Sequence, residues 1–186
     1  MARRIRPDRM RIVGGKHRNR RLHPPHEMEA RPTTDFAKEG LFNVLQHSIA
    51  LEGIRVLDLF AGTGNISLEF LSRGAAEVIS VEQDRNLYSF MQRTARELKE
   101  EGWRMVRGDV FTFLGSHRGQ YDVVFADPPF HLEGIDRIPR LVREGGMLTA
   151  DGLLILEHHE KTNVSQIPGF QRTREYGTIH FSFFGA

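Results

Sequence analysis

The stretch at residues 54–65, IRVLDLFAGTGN, decides the fold of this chain. Residues 54–60 form a short apolar run, which is typical of a parallel strand buried on both faces. The run leads into Gly62 and Gly64, which allow a tight turn and a close approach of the backbone to a ligand. A helix is predicted directly afterwards, at residues 65–73. The stretch therefore predicts a strand–turn–helix unit of an open α/β sheet, whose ligands bind at the carboxyl ends of the strands.

The same alternation of strands and helices continues to the end of the chain. Short apolar runs predict further strands at residues 77–82, 103–107, 121–126 and 153–157, and two more within residues 170–184. Helical segments separate all but the last pair, so the pattern indicates a Rossmann-like α/β fold. We expect a mostly parallel seven-stranded sheet with an antiparallel C-terminal hairpin.

The N-terminal part differs from this pattern. Residues 1–50 are expected to be a basic extension, made of a hairpin and a helix, that packs on the core. Residues 51–186 are expected to form the ligand-binding and catalytic domain, so the chain is effectively one domain.

Composition narrows the chemistry and the partners. No cysteine occurs among the 186 residues, which excludes disulfides, thiolate zinc sites and a cysteine nucleophile. No run of 18 apolar residues is present and no apolar segment follows the basic N-terminus, so we expect no membrane association and a cytoplasmic location. Residues 1–31 carry a net charge of +7 and residues 32–186 a net charge of −5. A basic arm on an acidic body favours a nucleic-acid partner, the alternative being a solvated tail.

Two details of the glycine loop favour S-adenosylmethionine over a nicotinamide dinucleotide. The third glycine of a G-x-G-x-x-G fingerprint is replaced by Ser67. Asp58 precedes the loop, and its charge would repel a pyrophosphate but not a cationic sulfonium amino acid. A tight turn without a ligand remains the alternative for the glycines alone.

Further carboxylates follow the next two strands. Glu82 lies twenty residues after Gly62, where a carboxylate accepts hydrogen bonds from ribose hydroxyls, with Asp84 as the second candidate. Asp109 follows the third strand and is placed to accept from an adenine amino group. Each of them alone could be a solvated loop residue, but together they indicate a nucleoside site.

The segment DPPF at residues 127–130 ends the fourth strand of the predicted sheet. Its two prolines remove backbone donors and leave an acceptor-rich corner formed by Asp127 and backbone carbonyls. Such acceptors hold the two hydrogens of an exocyclic amino group and turn its lone pair toward a methyl donor. Phe130 offers a face on which the target base stacks. The alternative is a strand terminator beside a core phenylalanine.

The motifs DLFAGTGN, VEQD, GDVF and ADPPF, in this order, resemble the class I S-adenosylmethionine-dependent methyltransferases. The N-terminal segments RIVGGKHRNRRLHPP and RPTTDFAKEGLFNVL narrow the resemblance to the RsmD-type family of 16S rRNA guanine-N(2) methyltransferases. It covers residues 11–184 and implies methyl transfer to a guanine 2-amino group, with S-adenosylhomocysteine as the product. It also implies 16S rRNA in a small-subunit assembly particle as the partner, and a monomer.

The resemblance also implies a set of site residues, and no metal. The methionine and ribose parts of the cofactor would contact Asp58, Phe60, Ala61, Gly62, Thr63, Gly64 and Asn65. Its ribose and adenine would contact Glu82, Gln83, Asp109 and Val110. The segment at residues 31–42 would close over it, with contacts from Arg31 and Thr33. The target guanine would be held by Asp127, Pro128, Pro129 and Phe130, with Asp127 and the Pro128 carbonyl orienting the amine. RNA phosphates would contact Lys16, Arg18, Arg20 and Arg21.

The sequence departs from the family pattern at two positions. Asn19 replaces a glycine and Lys38 replaces an arginine, which puts RNA or cofactor contacts in question there. The histidines at 158 and 159 are adjacent on a strand and point to opposite faces, so we expect surface histidines and no metal ion. Two alternatives stay open for the function. One is an adenine-N(6) methyltransferase acting on DNA or RNA, and the other is a catalytically inactive RNA-binding assembly protein.

Overall fold

A computed structural model describes residues 10–25 and 34–186 of the chain. Within these ranges it contains nine strands and five helices. The strands are β1 (Met10–Arg11), β2 (Arg21–Leu22), β3 (Arg55–Leu59), β4 (Glu77–Glu82), β5 (Trp103–Arg107), β6 (Tyr121–Ala126), β7 (Leu148–His159), β8 (Phe170–Tyr176) and β9 (Ile179–Gly185). The helices are α1 (Asp35–Ser48), α2 (Asn65–Ser72), α3 (Arg85–Leu98), α4 (Val110–Ser116) and α5 (Arg137–Glu144).

Seven strands form one sheet in the order β5-β4-β3-β6-β7-β9-β8. The strands from β5 to β7 are parallel, and β9 runs antiparallel to both of its neighbours. The order reverses between β3 and β6, the position at which open α/β sheets bind their ligands. The predicted mostly parallel seven-stranded sheet with an antiparallel C-terminal hairpin is confirmed.

Helices cover both faces of the sheet. Val56 and Leu57, adjacent in β3, are each completely buried in a different one of the two apolar clusters. One cluster includes residues of α1, α2 and α3, and the other includes residues of α4 and α5. The apolar run of β3 is explained by this burial on two sides, which at about 25 cal/mol per Å² of apolar surface is a dominant stabilising contribution.

The described part of the N-terminal extension packs on α2. Strands β1 and β2 form a short antiparallel hairpin, and the Lys16 N–H donates to the carbonyl of Ser72 at 2.7 Å. The Val13 N–H donates to the carboxylate of Glu69 at 2.7 Å. This cover explains why all eight residues of α2 are buried, polar ones included. The division at residue 50 stays a prediction.

The element boundaries agree closely with the pattern, with one clear difference. Strands β4, β5 and β6 have the predicted bounds, whereas β7 begins at Leu148 instead of residue 153. Its polar first half pairs Leu148 with Tyr121 before a register shift, and this pairing is invisible in the hydrophobic pattern. No helix in the described ranges is long and apolar enough to cross a membrane.

Candidate active site

The glycine loop after β3 is held in an unusual backbone conformation. Phe60, Gly62 and Gly64 all have positive φ, at 60°, 56° and 74°. A Cβ on Gly64 would lie 2.4 Å from the Trp103 ring, so this position also needs glycine for space. A Cβ on Gly62 would meet nothing closer than the Phe60 carbonyl oxygen at 4.0 Å. Gly62 therefore leaves open room above the loop that a ligand could fill.

Asp58 is the buried carboxylate beneath this loop, with 2% of its surface exposed. The Ser67 hydroxyl donates to it and lies 2.6 Å from the Ser80 hydroxyl. The Trp103 indole N–H in turn donates to Ser80 at 2.7 Å. Burial raises the pKa of Asp58 to about 7, while its hydrogen bonds with Ser67 act in the opposite direction. A bound cation would therefore favour its charged form.

Glu82, at the end of β4, holds the glycine loop by accepting hydrogen bonds from its backbone. Its two carboxylate oxygens accept the backbone N–H groups of Gly62 and Asp84, each at 2.8 Å. Burial raises the pKa of Glu82, and these backbone donors oppose the shift. Each oxygen keeps a second lone pair, so the carboxylate that fixes the loop is also able to accept from ribose hydroxyls.

The two other loop carboxylates are helix caps. Asp84 accepts the N–H groups of Asn86 and Leu87 at the start of α3. Asp109 accepts the Thr112 N–H at 2.8 Å through its Oδ1 atom at the start of α4. Gln83 and Asp109 are exposed beside this edge, while Val110 is buried.

The DPPF corner lies next to the glycine loop. The Asp127 N–H donates to the carbonyl of Leu59 at 3.4 Å, which joins the ends of β6 and β3. Pro128 is buried, Pro129 is exposed, and Phe130 has 72% of its surface exposed. The Phe130 ring meets His159 edge-on, with centroids 5.9 Å apart. Phe130 is therefore not the core phenylalanine of the alternative interpretation.

Several carboxyl groups lie close together at the DPPF corner. Burial raises the pKa of Asp127 well above its ordinary value, and the nearby carboxylates of Glu157 and Asp58 raise it further. Glu157 lies in β7 and has only 3% of its surface exposed. Three acidic side chains thus lie close together at the ends of neighbouring strands, and a cationic ligand or a nitrogen acquiring positive charge would favour their ionised forms.

The four basic residues predicted to meet RNA are exposed on the hairpin at residues 10–25. Lys16 forms an ion pair with Glu100 at 2.8 Å, whereas Arg18, Arg20 and Arg21 are part of the exposed turn and strand. Asn19 has φ of 67°, so it does occupy the left-handed conformation that a glycine would take. The predicted cofactor contacts Arg31 and Thr33 lie outside the described residues.

Lys38 and two loop residues face the interior. The Lys38 ammonium is fully buried and contacts Glu69 at 3.2 Å and the Asn65 side-chain oxygen at 2.9 Å. The Thr63 hydroxyl contacts the Met10 sulfur at 3.2 Å. Lys38 thus connects α1 to α2 instead of presenting its charge to RNA, and sequence patterns gave no signal of this long-range ion pair.

His158 corrects the expectation of a surface histidine. It is 3% exposed, its Nε2 lies 2.8 Å from the Ser182 hydroxyl, and burial lowers its pKa. The antiparallel pairing of β9 covers it, which a strand considered in isolation does not reveal. His159, on the opposite face, is half-buried beside Phe130.

Comparison with known proteins shows which family this chain is similar to. The model of the family described as conserved hypothetical protein 95 matches residues 10–185. The ribosomal RNA small subunit methyltransferase D of Escherichia coli K12 is 33% identical over 159 residues, covering 86% of this chain and 79% of that protein.

Two solved structures extend the comparison. The Escherichia coli protein YhhF is 30% identical with a TM-score of 0.85, and the match covers 96% of this chain and 98% of the other. The Thermus thermophilus 16S rRNA N2 G1207 methyltransferase, solved with AdoMet and guanosine, has a TM-score of 0.66 at 24% identity. That match covers 84% of this chain and 44% of the other, and it is a likeness of fold.

Proposed function

We propose, on the premise that this chain belongs to the RsmD-type family of ribosomal RNA small subunit methyltransferases, that it methylates the exocyclic 2-amino group of a guanine in 16S rRNA. The methyl donor is S-adenosylmethionine, and the product is S-adenosylhomocysteine. One observation carries the proposal above all. The glycine loop and the exposed DPPF corner adjoin at the switch point of the sheet, where the Asp127 N–H meets the Leu59 carbonyl.

The cofactor fits the loop and the strand ends around it. The open room above Gly62 and the acidic surroundings of Asp58 suit the methionine part with its sulfonium charge. Glu82 keeps lone pairs for the ribose hydroxyls. We assign the adenine to the surface formed by Gln83, Asp109 and Val110, where the Asp109 Oδ2 atom is the acceptor for the amino group.

Loop residues also act through the backbone. Phe60 and Ala61 form the turn, with the Ala61 N–H donating to the Val81 carbonyl at 3.0 Å. Thr63 and Asn65 use their side chains to hold β1 and α1. We therefore assign both a supporting role, in which they fix the loop while its main chain contacts the cofactor.

Asp127 and the Pro128 carbonyl hold the target amine. Bound S-adenosylmethionine would supply an electrophilic methyl group, and its sulfonium would become the neutral thioether of S-adenosylhomocysteine. The two acceptors of the corner bind the two amine hydrogens, which directs the nitrogen lone pair toward the methyl carbon. They also stabilise the positive charge that develops as the nitrogen becomes tetrahedral.

A proton must leave the nitrogen once the new N–C bond has formed. The raised pKa of Asp127 makes its carboxylate a better base than an ordinary aspartate. We therefore assign to Asp127 the role of receiving this proton, and solvent can take it up because the residue is only partly buried.

Phe130 and the basic hairpin are assigned to the RNA. The exposed Phe130 ring stacks on the extruded guanine, and Pro129 shapes the turn that presents it. Lys16, Arg18, Arg20 and Arg21 contact phosphates, with the Lys16 charge partly compensated by Glu100. We propose a small-subunit assembly particle in the cytoplasm as the substrate and a monomer as the acting form.

The test is methyl transfer from labelled S-adenosylmethionine to small ribosomal subunits isolated from cells that lack the activity. The product RNA is digested to nucleosides and separated. The proposal predicts N(2)-methylguanosine in 16S rRNA. N(6)-methyladenosine would retain the chemistry but contradict the target base. Cofactor binding without any transfer would favour the inactive RNA-binding alternative.

A further inference from the structure

One exposed aromatic side chain has no role in the function proposed above. Among the described residues the large hydrophobic side chains with more than a third of their surface exposed are Phe36, Val106 and Phe130. Phe36 is 70% exposed, nearly as much as Phe130 at 72%. It lies in the first turn of α1, whose apolar face is otherwise buried. A single exposed ring is common on protein surfaces, so the case for a ligand depends on the side chains that lie beside Phe36.

Phe36 and Phe130 lie at the two ends of a row of side chains across the sheet, in which Ile179 separates the rings of His159 and Tyr176. The Phe36 ring meets Tyr176 edge-on at 5.9 Å, and the Phe130 ring meets His159 at the same distance. His159 pairs with Ile179 in β9, and Ile179 pairs with Tyr176 in β8. We call Phe130, His159, Tyr176 and Phe36 the aromatic strip.

The strip lies on one face and at one edge of the sheet. Ile179 and Tyr176 pack against the apolar cluster that contains Phe181 and residues of α1, α2 and α3. The centroids of the Tyr176 and Phe181 rings are 5.8 Å apart. The paired residues put His159 and Tyr176 two interstrand spacings apart, about 10 Å. When the ring contacts of Phe36 and Phe130 at its two ends are added, the length of the strip matches a few nucleotides of extended RNA.

Tyr176 is a fixed part of this surface. A Cβ on Gly40 of α1 would lie 2.0 Å from the Tyr176 ring, so helix and ring are packed as closely as the backbone allows. Tyr176 thereby holds the first turn of α1, with Phe36, at the edge of the sheet. A preformed platform loses little conformational freedom when a base stacks on it.

A positive charge accompanies the rings. Arg174 precedes Tyr176 by two residues in β8, so both side chains emerge on the same face. Its side chain is exposed. A guanidinium beside a row of aromatic faces is the pattern by which proteins follow a single-stranded backbone while stacking its bases.

We propose that the aromatic strip binds the single-stranded RNA that flanks the target guanine, with one flanking base stacked on Phe36. The inference rests on the proposed function, because continuity with Phe130 identifies the occupant as the same RNA strand. It adds a second base-binding position to the substrate site. A single-stranded or unpaired context of the target follows from it, since bases within a duplex do not offer their faces.

A direct test uses a short single-stranded oligoribonucleotide containing 2-aminopurine, whose fluorescence falls when the base stacks. Wild-type protein should quench it, and Phe36→Ala should bind about tenfold more weakly with less quenching. Phe36→Trp should restore quenching because it keeps an aromatic face. Gln46→Ala, an exposed position on the same helix, is the matched control and should behave as wild type.

Steady-state transfer to small ribosomal subunits gives the second readout. Phe36→Ala should raise KM for the subunits severalfold and leave kcat and the Kd for S-adenosylmethionine unchanged. Equal quenching by wild type and Phe36→Ala would overturn the strip, and so would equal losses in Phe36→Ala and Phe36→Trp. Loss of cofactor affinity in Phe36→Ala would place this residue on the cofactor side instead. Failure of the proposed function is distinguishable, because wild type would then form no N(2)-methylguanosine while the quenching experiment still decides the strip.

Discussion

The two halves of the site are built differently. At the ends of β3 and β4, nearly every polar group already has a protein partner. Glu82 accepts from Gly62 and Asp84, and Asp58 is bonded to Ser67. At the ends of β6 and β7 the Phe130 ring is exposed, and the nearby carboxylates of Glu157 and Asp58 add to the effect of burial in raising the pKa of Asp127.

This difference indicates which of the two parts of the site has its binding geometry fixed before a ligand binds. We call the ends of β3 and β4 the cofactor half and the ends of β6 and β7 the target half. The cofactor half is fixed by its own hydrogen bonds, so it is ready to bind a small molecule. The target half has an exposed ring and closely spaced carboxyl groups, which the proposed RNA base with its amino group would cover and neutralise.

The largest effect is expected from breaking the target half at Asp127. Asp127→Ala removes the proposed acceptor of the amine and the proposed base for its proton, so kcat for methyl transfer should fall by about 100- to 1000-fold. Asp127→Asn keeps an acceptor oxygen and should lose less. Single-turnover transfer to small subunits measures both, with Asp151→Ala, an exposed carboxylate at the opposite end of β7, as the control. Equal rates for wild type and Asp127→Ala would remove Asp127 from the chemistry.

A second change breaks the cofactor half at Gly64. Gly64→Ala adds a Cβ at a φ of 74° and 2.4 Å from the Trp103 ring, which should cost about 1–3 kcal/mol of folding free energy. It should also weaken S-adenosylmethionine binding, because the loop must shift. Thermal unfolding and calorimetric titration are the measurements. Gly115→Ala, which meets no atom within 4 Å in α4, should leave cofactor binding unchanged and should not destabilise the fold. Wild-type stability and wild-type cofactor affinity in Gly64→Ala would contradict the account.

The smallest expected effect sharpens the comparison through pH. Because the pKa of Asp127 is raised, its active carboxylate form is lost as pH falls through that value, so kcat/KM should rise with pH. Glu157→Gln removes a charge that raises the pKa of Asp127 and should move the profile toward lower pH. Glu144→Gln, exposed in α5, should leave the profile in place. A shift toward higher pH in Glu157→Gln would mean that Glu157 acts in another way.

The sequence allowed much of the fold to be predicted, because buried parallel strands are continuous apolar runs. Strands β4, β5 and β6 have the predicted bounds, and the family prediction is confirmed. Ser67, predicted only as a missing third glycine, turns out to donate to Asp58. The first half of β7 escaped prediction because polar residues form it through pairing with β6.

The site was less predictable than the fold, since its geometry depends on contacts between distant residues. The buried pair of Lys38 and Glu69 joins two helices across 31 positions of sequence, and no local pattern marks such a pair. His158 was expected at the surface and is buried by β9. Phe36 received no individual role from the sequence beyond lying in the segment at residues 31–42, and its exposure became meaningful once Tyr176 was seen beside it. The roles of the individual site residues stay predictions.

The most direct test of the central claim is the Kd for S-adenosylmethionine in the absence of RNA, measured by calorimetry for wild type and Asp127→Ala. If the cofactor half is complete on its own, the two proteins should bind the cofactor within about threefold of each other. A loss of tenfold or more in Asp127→Ala would contradict the account. Asp127 would then belong to the cofactor site, and the separation of the two halves would fail.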